Sequence, residues 1–481
     1  MKSFGTHMEV NMIKFGTGGW RAIIGEEFTK ENLVILAQAI ADMMQDEKIS
    51  HFGFVIGYDR RFLSDKAAGW FSEILAANGI TVLFIDRVAP TPLVMYAVKN
   101  FNTCYGAAVT ASHNPADYNG IKIFTRGGRD ATEAVTGKIE EYIGKIAKEN
   151  IKSIAFEDGI KKGLIKIIDP MNDYIDTIIS MIDTQAIKER KLKVLLDPMF
   201  GVSKTSLQTI LVTARCEVDI INDRHDTLFG GRLPSPSSHT LQRLRDMVVE
   251  KGYDIGIGTD GDADRLGIID EKGNFIHPNS ILAMLYYYLL KYKGWKGGVV
   301  RNVATTHLLD KIAKAFGEEC YEVPVGFKNI SSMMEEKSAL LGGESSGGLT
   351  IRGHIKGKDG IFAASLLIEL LSITGMKLSD LLNEIHGQFG KFYFAEADFR
   401  YMDKDRERLV RVLYEEKRIP DFNIKIKNIS YSDGVKIYFE SSGWIIVRFS
   451  GTEPLLRVFC EMNTLEDADG VSRKMKEFLK L

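Results

Sequence analysis

The chain has 481 residues, 45% hydrophobic and 26% charged, which is too long for one ordinary hydrophobic core and excludes disordered and fibrous classes. Its formal net charge of -2 supplies no long-range field for nucleic acid or an anionic membrane, so anionic ligands must be held locally. Cys104, Cys216, Cys320 and Cys460 lie far apart without a CxxC pair, which excludes a readable zinc knuckle or disulfide framework and leaves reduced, packed thiols.

Met1 to His7 are polar, precede a second methionine, Met8, and read as an addition outside the fold. Apolar residues at helical spacing predict a helix from Leu33 to Asp46, followed by a buried strand from Phe54 to Tyr58. Helix and strand alternate again, from Ala67 to Asn78 and from Thr81 to Ile85, and a small strand from Thr103 to Thr110 ends in a loop. This is α/β packing on a mostly parallel sheet. A second unit starts near Pro170, with Asn172 or Asp173 capping a helix from Tyr174 to Ile182, a strand from Leu192 to Leu196 and a last strand from Tyr253 to Gly258. A third has helices from Ser280 to Lys291, Leu308 to Ala315 and Ile361 to Ser372, with a strand from Gly298 to Val300. From about Phe392 the pattern changes to short strands, Val435 to Phe439, Trp444 to Phe449 and Leu455 to Phe459, and a helix from Glu466 to Leu479, hence α+β. Apolar runs such as Ile281 to Leu290 are too short to span a bilayer and no signal peptide opens the chain, which predicts a cytoplasmic protein without membrane or nucleic-acid partners.

Four loops carry chemistry. Asp260, Asp262 and Asp264 alternate with small residues after an apolar strand, so an extended chain aims three carboxylates to one side, and three like charges there call for a hard cation such as magnesium. Gly256, Gly258 and Gly261 also satisfy a dinucleotide fingerprint, but the acidic loop and the strand that follow would repel a pyrophosphate. A calcium loop from Asp260 to Glu271 fails because Arg265 stands where glycine is needed. Ser112, in TASHNP, sits where strand gives way to loop, beside His113 and Asn114 and ahead of Lys122. Arg448, Ser450, Gly451 and Thr452, with Arg457 beyond, combine guanidinium forks with a glycine turn, as a dianion cradle would. Glu344 and Ser346, in GESSGG, suit sugar hydroxyls; the same residues spell a nucleophile elbow, against which the β-like Leu349-Thr350-Ile351 follows in place of a helix.

In this order FGTGGWR (Phe15 to Arg21), IGYDRR, TASHNP with DYNGIK, DGDADR, PVGFKN, GESSGG, KDG and RFSGTEPLLR, the set resembles the α-D-phosphohexomutase superfamily along nearly the whole chain. The resemblance implies three similar α/β domains with mixed sheets around a central cleft plus a C-terminal α+β domain, expected over 12–168, 169–273, 274–390 and 391–481. It implies that Ser112 is the phosphoserine; that Ser112, Asp260, Asp262 and Asp264 hold magnesium; and that Arg21, His113 and Lys122 share the charge of the phosphoryl group in flight. Arg265, Lys328, Glu344, Ser346, His354 and Lys358 become substrate contacts, and Arg448, Ser450, Gly451, Thr452 and Arg457 the site of the non-transferring phosphate. The implied activity interconverts glucose 1-phosphate and glucose 6-phosphate through a sugar 1,6-bisphosphate, in a monomer or homodimer. Mannose phosphates or dual specificity, glucosamine phosphates, and a serine-linked phosphatase remain open alternatives. One departure matters: mannose- and glucosamine-type members often carry GExSGH, whereas this chain has Gly348, and HI..KDG, with His354 and Lys358, resembles glucose-type members.

Overall fold

Phe54–Tyr58 is apolar on both faces and is buried between two parallel neighbours, Tyr105–Val109 and Val82–Val88. The computed structural model describes residues 13–16, 18–450 and 454–481. Ile165–Ile168 continues the sheet in parallel beyond Val82–Val88, while on the other side Tyr118–Thr125 and then Trp20–Ile23 run antiparallel. The sheet is therefore mixed where the residue pattern suggested mostly parallel strands. The reversal comes from the chain doubling back after Tyr105–Val109, and the TASHNP loop is the point of return.

Helix Lys30–Asp46 starts at Thr29, whose hydroxyl accepts from the Asn32 amide, so its polar first turn precedes the apolar periodicity. It packs with Ser64–Ala77 on one face of the sheet, around Leu36, Phe54 and Phe71, and Thr91–Asn100 covers the other face. That second face is continuous with the next two units through one core that includes Val94, Tyr174, Leu196, Tyr286 and Phe362.

The second sheet runs Phe275–Ile276, Leu266–Ile269, Ile255–Thr259, Lys193–Asp197, Glu217–Ile220. The strand expected to end it, Tyr253 to Gly258, is its middle member, because the acidic loop returns the chain for Leu266–Ile269 and the tight turn held by Asp270 returns it again for Phe275–Ile276. Asn172 and Asp173 do not cap the helix: it spans Met171–Met181, entered through Pro170, and the Asp169 carboxylate accepts from the Met171 amide at 3.3 Å.

The third sheet orders Cys320–Val323, Val299–Asn302, Leu341–Gly343 and Leu349–Ile351. Helix Gly360–Thr374 behind it is capped by Asp359, whose carboxylate accepts from the Ile361 and Phe362 amides. The last unit is an antiparallel sheet, Tyr393–Arg400, Leu455–Met462, Trp444–Phe449, Val435–Phe439, Ile426–Ser430, covered by helix Leu465–Leu479 over a core of its own. It touches the third unit through Trp444 and Ile446 against Val303 and Ala304. Among the described residues no single helix is long and apolar enough to cross a membrane; the pair Gly360–Thr374 and Leu378–Phe389 bends by 82°, and its first member is buried along most of its length.

Candidate active site

Ser112 is fully buried, in a left-handed turn at φ 54°, shortly after Tyr105–Val109. Its Oγ donates to Asp260 Oδ2 at 2.8 Å, so the first unit's loop and the second unit's acidic loop meet at this serine. Gly261 is required by this approach, since a Cβ there would stand 2.7 Å from the Ser112 carbonyl oxygen. His113 Nδ1 lies 3.4 Å from Ser112 Oγ. The Arg265 guanidinium, then burial, Arg21 and Lys358, push the imidazole well below its ordinary range, so it faces the serine uncharged at neutral pH.

The acidic loop is a turn, with Ala263 at φ 60°, and not the extended chain expected from its alternation. Alternate side chains on a strand stand roughly 7 Å apart, whereas the turn brings ligand oxygens of Asp260, Asp262 and Asp264 within 4.8 Å of one another. All three are buried. Lys122 Nζ donates to Asp262 at 2.6 Å and to Asp264 at 2.7 Å, and Lys358 Nζ stands 3.2 Å from Asp264. Burial pushes all three carboxyls up. At Asp264 the charges of Lys122, Lys358 and Arg265 outweigh it and hold the group well below the usual range, while Asp260, repelled by its two neighbours, is raised well above it. Asp262 Oδ1 and Asp264 Oδ1 are buried and accept no hydrogen bond. Clustered carboxylates with unfilled oxygens fit a hard divalent cation, with Ser112 Oγ as a further oxygen beside Asp260.

Arg21 donates to Asn114 Oδ1 at 2.6 Å and so borders the same loop. Glu344 and Ser346 form the hairpin between Leu341–Gly343 and Leu349–Ile351; the Ser346 hydroxyl donates to Glu344 at 2.7 Å. Lys328 lines a small cavity with Lys122, Asp130, Gly18 and Gly19, and pairs with Glu133 at 2.7 Å. His354 takes another place: it is buried, its Nε2 lies 2.6 Å from Asp359 Oδ2, and its ring stacks on Phe362. Tyr174 donates to the same carboxylate oxygen at 2.8 Å. Lys358 alone of the HI..KDG pair reaches the acidic cluster.

Arg448 and Arg457, expected in one loop, stand on adjacent strands as directly opposed partners. Asp433 accepts from Arg448 at 2.9 Å, and Arg457 lies 3.9 Å from Asp398. Ser450 follows Trp444–Phe449, and its amide donates to the Leu455 carbonyl at 2.8 Å. Gly451 and Thr452 lie outside the described residues, as does Thr17 of the FGTGGWR motif.

Three residues outside the sequence-derived set shape the site. Thr91 donates its hydroxyl to Asp262 at 2.6 Å. Asp59 accepts from the Thr110 hydroxyl at 2.6 Å, and Arg61 donates to four carbonyls of the serine loop. The only signal for the last two was IGYDRR, a polar triplet closing a buried strand.

Four family models match in order along the chain: phosphoglucomutase/phosphomannomutase alpha/beta/alpha domain I over residues 12–150, domain II over 172–273, domain III over 277–389 and the C-terminal domain over 405–477. The chain belongs to the phosphoglucomutase/phosphomannomutase family. Within this α-D-phosphohexomutase superfamily, it is 31% identical to a phosphoglucomutase/phosphomannomutase of Thermococcus kodakarensis, over 97% of each chain. A phosphoglucosamine mutase of Acetivibrio thermocellus is 30% identical over 97% of this chain and 98% of its own. The crystal structure of a Thermus thermophilus protein assigned as a phosphomannomutase superposes with a TM-score of 0.84 at 27% identity, covering 98% of this chain and 99% of that one. The protein is thus a phosphohexomutase-family enzyme with an acidic cluster suited to a metal ion.

Proposed function

We propose that the protein interconverts glucose 1-phosphate and glucose 6-phosphate through phospho-Ser112 and a hexose 1,6-bisphosphate. The observation that carries this reading is the buried Ser112 hydroxyl, 2.8 Å from Asp260 in a carboxylate triad whose Asp262 and Asp264 each keep an unfilled oxygen. Asp260, Asp262, Asp264 and the Ser112 oxygen would hold magnesium, which when bound would supply electrostatic stabilisation of the transferring group. Lys122, Arg21 and Arg265 add fixed positive charge around it, and neutral His113 contributes a hydrogen bond.

Glu344 and Ser346 hold sugar hydroxyls, and Lys328, from the cavity it lines with Lys122, is a further substrate contact. Arg448, Ser450, Gly451, Thr452 and Arg457 bind the phosphate that is not being transferred, so that the bisphosphate can turn end for end and return its other phosphate to Ser112. Lys358 faces the reacting groups, while His354 acts on the KDG turn from behind. Glucose is favoured because the space a side chain at position 348 would occupy is filled by the Lys358 stem, with Cδ 2.2 Å from such a Cβ. The relatives carry both glucose/mannose and glucosamine names, so identity alone does not choose among sugars.

The test compares kcat/KM for glucose, mannose and glucosamine 1-phosphates, primed with a trace of the bisphosphate. A far larger value for mannose or glucosamine would overturn the glucose assignment, and steady release of inorganic phosphate would indicate a phosphatase. Ser112→Ala should abolish turnover while the folded protein persists; retained activity would sink the phosphoserine mechanism.

A further inference from the structure

Arg61 has no part in the chemistry just described, yet its side chain is fully buried directly beneath the nucleophile. Its Nη2 donates to the carbonyls of Ser112 at 2.7 Å and Asn114 at 2.6 Å, and its Nη1 to those of Pro115 at 2.7 Å and Tyr118 at 3.0 Å. Convergence of these carbonyls on one side chain is costly for a neutral group and natural for a guanidinium, whose planar fork presents several donors at once. The cation is fixed from both sides: Asp59 Oδ2 lies 3.5 Å from its Nε, and its plane sits 4.9 Å over the Phe229 ring from the second unit. Asp59 reaches the serine by a second route, accepting from the Thr110 hydroxyl, whose oxygen in turn accepts from the Ser112 amide at 2.8 Å.

We propose that Arg61, with Asp59 and Thr110, is the positioning residue that holds Ser112 in its left-handed turn for phosphoryl transfer. A left-handed serine costs roughly 1 kcal/mol or more and persists only where its surroundings over-determine it. Here one guanidinium grips the carbonyl side of the turn and one hydroxyl grips its amide. The peptide from Ser112 to His113 is trans, so drawing the Ser112 carbonyl toward Arg61 aims the His113 N–H the opposite way, as a backbone donor on the far side of the loop from the guanidinium. The buried charge also lies within the field of Asp260 and Asp262, tying the serine loop to the acidic loop electrostatically. Arg61 acts through the main chain of Ser112 and its neighbours, to whose carbonyls it donates.

This inference rests on the phosphoserine reading, and its test is read at Ser112 itself. Wild type, Arg61→Lys and Arg61→Gly are charged with glucose 1,6-bisphosphate, phosphorylation is followed by intact mass, and transfer to a hexose phosphate is timed in a single turnover with magnesium. Lysine keeps the charge but not the fork, so transfer by Arg61→Lys should slow by about 100-fold with KM within about twofold, the signature of misplaced reacting groups. Millimolar guanidinium should restore about tenfold to Arg61→Gly by refilling the cavity, an effect that a purely structural role would not give. Wild-type transfer by folded Arg61→Lys, or a folded Arg61→Gly indifferent to guanidinium, would overturn the inference. If neither variant folds, Thr110→Val, which leaves Arg61 in place, must show the same loss in kcat alone, and a wild-type kcat there overturns it. A wild type that takes no phosphate onto Ser112 would instead bring down the mutase reading, and this inference with it.

Discussion

Gly348 and Lys358 behave as one unit at the scale of single residues. The Lys358 stem runs through the space a side chain at 348 would need and delivers its ammonium to Asp264. A methyl group there must displace the lysine, so Gly348→Ala should cost about 1–3 kcal/mol of stability and lower kcat together. Thermal unfolding and steady-state kinetics check this, and wild-type values in both would refute the coupling. The departure from GExSGH was legible in the sequence; its meaning was not, because the residue that fills the space lies ten positions downstream, beyond the strand Leu349–Ile351. The three aspartates were legible as a cluster because they are local: three carboxylates within five residues have few structural uses, whereas Ser112 stood out only in the company of the other loops. Thr91 and Asp59 were not, since each is an ordinary polar residue whose partner is fixed only by tertiary contact, 171 residues away for Thr91.

Among the secondary-structure elements, the antiparallel pair Trp444–Phe449 and Leu455–Met462 sets two guanidinium groups opposite each other. Directly opposed like charges destabilise a strand pair, and Asp433 and Asp398 offset this only in part, the second from 3.9 Å. A bound phosphate dianion would offset it fully. Arg448→Gln should therefore leave the free protein nearly as stable as wild type while raising KM for hexose phosphates by about tenfold or more, the loss of one charge-assisted hydrogen bond. Calorimetry with inorganic phosphate gives a second readout: the ligand should raise the Tm of wild type more than that of the variant, and equal shifts would count against the cradle. The first of these strands was predicted to the residue because its apolar run is short and bounded by turns, whereas the second continues past the expected Phe459 to Met462. Glu217–Ile220, at a sheet edge with every second residue exposed, lacks such a run and went unseen.

Across the whole molecule, the last unit is held to the third by a network of charges as well as by Trp444. Arg301 pairs with Asp310 and Glu322, Lys436 donates to Glu322 at 2.7 Å, and the Glu461 carboxylate accepts from the His307 amide and the Trp444 indole. Burial pushes the Glu322 carboxyl up, but His307, Arg301 and Lys436 outweigh it and hold the group well below its ordinary value of 4.5. A depressed carboxyl stabilises above its unfolded value and loses that contribution as the pH falls through the folded one. Glu322→Gln should thus cost about 3 kcal/mol at neutral pH, by stranding Lys436, and the gap from wild type should narrow as the pH drops below 4.5. Urea unfolding of both proteins at pH 7 and pH 4 measures this, and a constant gap would contradict it. No pattern in the sequence announces such a network, because its members are single charges scattered over several strands and a helix end. The bond from Ser112 to Asp260 spans 148 residues, and Lys358 reaches the same cluster from a point later in the chain than either. During synthesis the serine therefore leaves the ribosome long before the carboxylates and the lysine of that cluster, and a half-made chain carries it without them: the surroundings that the proposed transfer requires are complete only once three stretches of chain have closed on one shared core.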